Sequence, residues 1–204
     1  HWQGEVWDKH KDGALHAKYL TINTLRNPDG SIHRFVALFS DITERKQSEE
    51  LIWKQANFDT LTELPNRRMF LDRLAMDVEM SRLSGLPMAL LLIDLDQFKE
   101  VNDTLGHGVG DNLLKEAAFR IRSCVRTSDT VARLGGDEFV VILPELADAI
   151  HVEDIAQKII DKLAEHFVLG NEVIFVSASV GITLYPADAG NIEDLMKNAD
   201  QAMY

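Results

Sequence analysis

Three groups of acidic and amide side chains in the 204-residue chain have types and spacings that allow chemistry. The first is Asp94-Leu95-Asp96, which closes the apolar run Met88–Ile93. A carboxylate at the carboxyl end of a buried strand projects from a rigid edge, and a hard cation favours oxygen ligands held in fixed geometry. The plain alternative is a strand-end aspartate meeting solvent or a helix N-terminus. The second group is Gly135-Gly136-Asp137-Glu138-Phe139. Paired glycines accept positive φ and let a backbone or a phosphate approach closely. Two successive acids on a turn repel each other unless a cation neutralises them. With Asp94 on a neighbouring strand, a metal site becomes a better reading than a Gly-Gly turn carrying two solvated carboxylates.

The third group is Asn102 and Asp111, placed on either side of Gly106-His107-Gly108-Val109-Gly110. These glycines would end one helix and start the next, so two helix ends could approach a ligand. An amide and a carboxylate together match a guanine edge: the amide serves O6 or N3, and the carboxylate accepts from N1–H and N2–H. Both residue types also cap helices routinely. His107 reads as a local turn residue. Lys99, just past the first acids, could meet a phosphate as a point charge. Arg126 and Asp129 precede the Gly-Gly turn. They read either as an exposed ion pair worth at most ~1 kcal/mol, or as an arginine held ready for a phosphate or a guanine.

The elements that position these groups follow from turn chemistry and periodicity. Residues 1 to about 42 read as a three-stranded antiparallel meander, with turn signals at Lys11-Asp12-Gly13 and Asn27-Pro28-Asp29-Gly30. A charged, glycine-free helical segment follows to about Asn57, with Thr43 as its expected cap. Its apolar positions Leu51, Ile52, Ala56 and Phe58 are too few to mark a coiled coil, so a solvated connector and a dimerising helix both fit. Beyond Asp59, helical stripes (Phe70 to Val78, Leu113 to Val125, Val152 to Phe167, Ile192 to Met203) alternate with strands. The strands are Met88–Leu95, a hairpin of Val131–Leu134 with Phe139–Leu143, and a long one from Val173 to Tyr185. The expected class is α/β (α+β), with helices packed on a mixed sheet.

Composition narrows the function. Hydrophobic residues make up 46% and charged residues 26%, as in a globular chain. Twenty-one Lys plus Arg against 33 Asp plus Glu leave a net charge of −12. Duplex binding by counterion release needs a basic surface, so no nucleic-acid partner is expected. A polyanionic substrate would be handled through metal ions and a few local cations. The longest apolar run, Met88–Ile93, is far short of the roughly 20 residues that span a bilayer. A lone Cys124 allows no intrachain disulfide and points to a reducing, cytoplasmic setting, although a longer protein could be anchored upstream. With no initiator Met and a strand pattern from the first residues, the chain reads as a fragment of something longer.

Residues 58–204 resemble the GGDEF family of diguanylate cyclases. The name motif is present unchanged as Gly135-Gly136-Asp137-Glu138-Phe139. Asp59-Thr60-Leu61-Thr62-Glu63-Leu64-Pro65-Asn66-Arg67-Arg68 is similar to the family's opening signature. Asp94-Leu95-Asp96-Gln97-Phe98-Lys99, Asn102-Asp103, Gly106-His107 and Asp111 follow its first active-site stretch, and Asn198 to Tyr204 resembles its closing helix. The resemblance implies a palm-like fold related to nucleotidyl cyclases, in which two domains meet as a homodimer and join two GTPs into cyclic di-GMP. By position it implies that Asp94, the Leu95 carbonyl and Asp137 hold magnesium or manganese, with Glu138 assisting. Asp137 or Glu138 would help deprotonate the attacking hydroxyl. Asn102 and Asp111 would read guanine. Lys99 and the backbone of Gln97 and Phe98 would contact phosphates, with Gly135 and Gly136 bordering the nucleotide.

Arg126-Thr127-Ser128-Asp129 matches the family's inhibitory product site. A second arginine, often supplied near Ile160, is missing there, and only Lys158 and Lys162 lie nearby. Residues 1–42 resemble the C-terminal part of a PAS sensor domain, which makes 43–57 a helical linker. The chain stops at Tyr204, ahead of the Lys and Arg that family members use to grip phosphates, so weak or absent turnover is expected of the chain as it stands. The alternative function is a catalytically silent GTP- or cyclic-di-GMP-binding module preceding an EAL phosphodiesterase domain. All three acids, Asp94, Asp137 and Glu138, are present, which favours the enzyme.

Overall fold

The computed structural model of the chain describes residues 1–146 and 150–203. The backbone divides into two compact units, His1–Ala56 and Asn57–Tyr204. In the first, β1 (Trp2–Lys9), β2 (Leu15–Arg26) and β3 (Ile32–Asp41) pair antiparallel in the order β1-β2-β3. The Asp12 carboxylate accepts from the Ala14 N–H, and Asp29 accepts from the N–H and hydroxyl of Ser31, which closes both expected turns. The sheet buries little: Trp7, Phe35, Leu38 and Phe39 are all exposed.

The helix α1 (Thr43–Asn57) follows. Its cap differs from expectation. The Asp41 carboxylate, not Thr43, receives the first turn, accepting from the Thr43 N–H at 2.9 Å and the Thr43 hydroxyl at 2.6 Å. The Thr43 oxygen accepts from the Ala17 N–H at 3.0 Å, which directs it toward β2. The Thr43 hydroxyl and N–H, then His16, bring the Asp41 carboxyl down to about 2.

In the second unit α2 (Arg67–Ser84), β4 (Met88–Leu95), α3 (Phe98–Leu105), α4 (His107–Cys124), β5 (Thr130–Gly135), β6 (Glu138–Leu143), α5 (Ile150–Ala164), β7 (Phe167–Leu169), β8 (Glu172–Ile174), β9 (Ala178–Tyr185) and α6 (Ile192–Met203) follow in turn. Helices flank a four-stranded sheet of order β5-β6-β4-β9, the α/β class expected. The expected mixture of parallel and antiparallel neighbours is corrected, because all three pairings are antiparallel. Strands β4 and β5, joined through α3 and α4, run the same way but are separated by β6. The crossover is split by an inserted strand. The expected long strand from Val173 to Tyr185 is also two strands, since β8 turns back onto β7 as a separate two-stranded ribbon.

Both faces of β4 are covered, which is why this strand reads as an unbroken apolar run. Ala89, Leu91, Ile93 and Leu95 pack in a core with Leu113, Ala117 and Ile121 of α4 and Val152, Ile159 and Leu163 of the α5 region. Met88, Leu90 and Leu92 pack on the other face with Phe70 and Leu74 of α2 and Leu195 and Ala199 of α6. Helix α6 lies directly on β9: a Cβ at Gly181 would collide with the Ala199 carbonyl oxygen. Among the described residues no helix is long and apolar enough to cross a membrane.

One buried cation ties α4 to the end of α5. Arg120, 8% exposed, donates to the carbonyls of Lys162 (3.1 Å), Glu165 (2.6 Å) and His166 (2.9 Å) and to the Glu116 carboxylate (3.1 Å). Its guanidinium lies 3.6 Å over the Phe167 ring. It satisfies the carbonyls that a helix C-terminus leaves open. Arg120→Ala should cost about 3 kcal/mol, since each stranded acceptor forfeits roughly 1–3 kcal/mol. Thermal denaturation should show a fall in midpoint of roughly 10 °C. Arg120→Lys should restore less than half of this, because one ammonium cannot span three carbonyls.

Candidate active site

Asp94 is the penultimate residue of β4. It faces Glu138 of β6 directly on one side and Ser179 of β9 on the other. In an antiparallel ladder such partners share a face, and like charges directly opposite repel. Asp137 follows Gly136 in the turn between β5 and β6, so it lies at the same end of the sheet. Partial burial, then the charges of Asp137, Glu138 and Asp96, push the Asp94 carboxyl up to about 6. The three expected acids therefore do gather at one sheet end. They do not form a closed cage: among the described residues no three His, Cys, Asp or Glu side chains are disposed to enclose a metal ion. Leu95 is fully buried in the core, so only its backbone is available to a ligand.

Asp96 has a different role from Asp94. Its carboxylate accepts from the Ser177 hydroxyl and, at 2.9 Å, from the Ser179 hydroxyl, while its N–H donates to the Ser177 carbonyl at 3.0 Å. It fastens the end of β4 to the entry of β9.

The turn that carries Asp137 is held from behind by a residue absent from the sequence expectations. Gly135 and Gly136 adopt φ of 147° and 54°, conformations that a side chain would strain. The Gly136 carbonyl accepts two bonds from Arg133, from Nε at 3.0 Å and Nη2 at 2.6 Å. The third nitrogen, Nη1, reaches both oxygens of Asp59 at 3.0 and 3.1 Å. Asp59 in turn accepts from the N–H and hydroxyl of Thr62. Burial raises the Asp59 carboxyl, but the Thr62 bonds and Arg133 outweigh it and leave the group below its ordinary range. The Asp59-x-x-Thr62 spacing is a visible turn signal; its partner Arg133, far along the chain, is not.

Gln97 precedes α3 in a left-handed conformation (φ 61°), and no side chain caps the helix there. The Glu100 N–H already donates to the Gln97 carbonyl at 2.9 Å, so of the first turn the N–H groups of Phe98 and Lys99 are those a helix start leaves without an intrahelical partner. Lys99 is exposed on this first turn, whereas the Phe98 side chain is buried. Gly106 ends α3 and begins α4 (φ 86°), so the expected helix break is observed, and His107 is the first residue of α4. Asn102, at the end of α3, packs against Gly110 of α4: a Cβ at Gly110 would fall on the Asn102 amide oxygen. Asp111, the next residue, is exposed.

Arg126 and Asp129 do not form the exposed ion pair. Asp129 is 7% exposed, and its carboxylate accepts from the Arg126 backbone N–H at 2.7 Å and the Ser128 hydroxyl at 3.2 Å. It shapes the loop and leaves the Arg126 side chain exposed. Arg126 lines a cavity of about 340 Å³ together with Ser123, Cys124, Val125, Asp154, Ile155 and Lys158. The Lys158 ammonium, 3.4 Å from the Cys124 carbonyl, is the second cation of this cavity. Lys162 is instead bound to Glu165. The closing helix is observed to Met203, and Tyr204 lies outside the described residues.

Residues 56–204 match the profile of the family described as "Diguanylate cyclase, GGDEF domain". The bifunctional diguanylate cyclase/cyclic di-GMP phosphodiesterase MucR of Pseudomonas aeruginosa is 43% identical over 159 residues, 78% of this chain and 23% of MucR. The diguanylate cyclase TpbB of the same organism is 44% identical over 151 residues, 74% of this chain and 35% of TpbB. The chain thus spans about a third or less of the length of these relatives. The solved GGDEF domain of TpbB superimposes with a TM-score of 0.70 at 43% identity, covering 72% of this chain and 86% of that one. The coiled coil and GGDEF domain of DgcB from Caulobacter crescentus, solved with c-di-GMP, gives 0.72 at 27% identity over 80% of this chain and 86% of that one.

The crowding at Asp94 has a measurable sign. Its carboxyl is raised in the folded chain from an ordinary 3.8 to about 6, so folding disfavours the ionised form. The penalty is absent below pH 4 and complete above pH 6. Without divalent metal, Asp94→Asn should therefore raise the thermal midpoint at pH 8, and that gain should vanish near pH 4. An Asp94→Asn chain no more stable than wild type at pH 8 would remove the crowding.

Proposed function

The chain belongs to the GGDEF family of diguanylate cyclases, and we propose that it joins two GTP molecules into cyclic di-GMP with release of pyrophosphate. The observation that carries this reading is Asp94, raised by partial burial and then by the charges of Asp137 and Glu138, at one sheet end beside a helix start without a side-chain cap. Such a donor set fits magnesium or manganese. A small hard cation relieves the repulsion, and magnesium is usually held by one or two carboxylates plus substrate phosphates instead of a cage made by the protein alone. Asp94, Asp137 and the Leu95 carbonyl would hold it, with Glu138 assisting. When bound, the ion would lower the pKa of the attacking 3′-hydroxyl and neutralise charge at the α-phosphate.

The remaining roles fall to the chain's own residues. Asp137 or Glu138 takes the proton of the attacking hydroxyl. The N–H groups at Gln97 and Phe98 and the Lys99 ammonium receive phosphate oxygens, as an uncapped helix N-terminus does. Gly135 and Gly136 border the nucleotide, where the lack of side chains allows close approach. Asn102 and Asp111 read the guanine edge. Each domain carries one GTP, so the reaction requires two copies facing each other as a homodimer.

Product binds the cavity lined by Arg126 and Lys158, where the lysine takes the place of the arginine not found near Ile160. Residues 1–42 are read as the end of a PAS sensor, 43–57 as the linker and 58–204 as the cyclase, working in the cytoplasm. An EAL domain elsewhere in a longer protein agrees with the two activities in the name of MucR.

Incubation of the full-length protein with GTP and magnesium should give cyclic di-GMP and pyrophosphate, and Asp137→Ala should lower the rate at least about 100-fold. GTP binding without any product would instead favour the silent regulatory module. For the product cavity, Lys158→Ala should weaken cyclic di-GMP binding about tenfold by calorimetry, the loss of one charge-assisted bond. Lys158→Arg should tighten it, because a guanidinium offers a bidentate fork.

A further inference from the structure

We infer that Gly110 is a positioning and specificity-determining residue for the nucleobase, acting through Asn102; the inference rests on the guanine-reading role proposed for Asn102 and Asp111. Gly110 is buried within the first turns of α4 and needs no unusual backbone conformation. Helix propensity alone therefore favours alanine there. Glycine sits at this position at a cost, and the surroundings show why. A Cβ at Gly110 would overlap the Asn102 amide oxygen, would lie 2.9 Å from Asn102 Cγ and would lie 3.3 Å from Phe98 Cζ. Gly108, two residues earlier, and Gly106 would meet nothing within 4 Å. The requirement is specific to the one glycine facing Asn102.

The backbone of Asn102 cannot retreat, because its carbonyl accepts from the Gly106 N–H at 2.9 Å and so closes α3. The atom in the way of a methyl group is instead the far end of a flexible side chain. A methyl at position 110 would swing the Asn102 amide away while leaving the helices in place. Gly110 thus holds open the orientation in which that amide packs on α4, one residue before Asp111. The two groups together distinguish guanine from adenine, whose corresponding edge reverses donor and acceptor. A chain with alanine here would fold normally and lose its preference for the guanine base.

The test is a double-mutant cycle of Gly110→Ala and Asn102→Ala. Its readouts are thermal stability and calorimetric binding of the α,β-methylene analogues of GTP and ATP with magnesium. Gly110→Ala should keep or raise the thermal midpoint, weaken the GTP analogue about tenfold and leave the ATP analogue unchanged. In the Asn102→Ala background the same step should raise the thermal midpoint, because the displaced amide is gone and only the helix propensity of alanine remains, and it should leave binding unchanged. An equal loss from Gly110→Ala in both backgrounds, or undiminished preference for the GTP analogue in the single variant, would overturn the inference. If Gly110→Ala unfolds, the Asn102→Ala background decides: a stable double variant upholds the amide clash, and an unfolded one refutes it. Failure of the wild-type chain to bind the GTP analogue would instead defeat the proposed function itself.

Discussion

The central constraint of the second unit is repulsion among carboxylates that the sheet does not let escape. Asp94 is fixed between Glu138 and Ser179 by two ladders, and the strand beneath it is buried on both faces. An isolated carboxylate pair would rotate apart into water. Here the rigidity comes from the two apolar cores packed on the faces of β4, and burial together with the neighbouring charges leaves a carboxyl raised toward neutrality. Strain of this kind is tolerated where a ligand later relieves it.

Opposed to that repulsion is a single guanidinium. Arg133 uses three nitrogens to join Asp59 to the carbonyl of Gly136. Its planar fork holds the turn and the start of the unit in one geometry, which a lysine could not do. The glycines supply the turn's shape, and the arginine keeps that shape fixed. The acids at the sheet end and the start of the unit are thereby parts of one structure, although they are distant in sequence.

How much of this was legible beforehand depended on the range of the interaction. Met88–Leu95 announced itself as a buried strand because both faces are apolar, and the Gly-Gly turn and the helix break at Gly106 followed from backbone freedom. These are local properties. The antiparallel sense of every pairing was not legible, since alternation of helix and strand is common to parallel and split crossovers. Nor was the break inside Val173–Tyr185, where pairing with β7 overrides a continuous β-prone run. Asp41 displaced Thr43 as the cap because strand β2 claims the threonine oxygen. Arg133 was missed, and Gly110 and Lys158 were named without their neighbours, for the same reason: the Asp59 carboxylate, the Asn102 amide and the Cys124 carbonyl are brought to them only by the fold.

Arg120 has a consequence beyond stability. It locks the end of α5 to α4, and those same two helices form the walls of the cavity that holds Arg126 and Lys158. The width of that cleft is thus set by a buried residue, whatever occupies it. A molecule entering it finds the gap ready made and spends nothing on drawing the helices together. Exchange of a rim cation, Arg126 or Lys158, would change the charge of the cleft without changing its width.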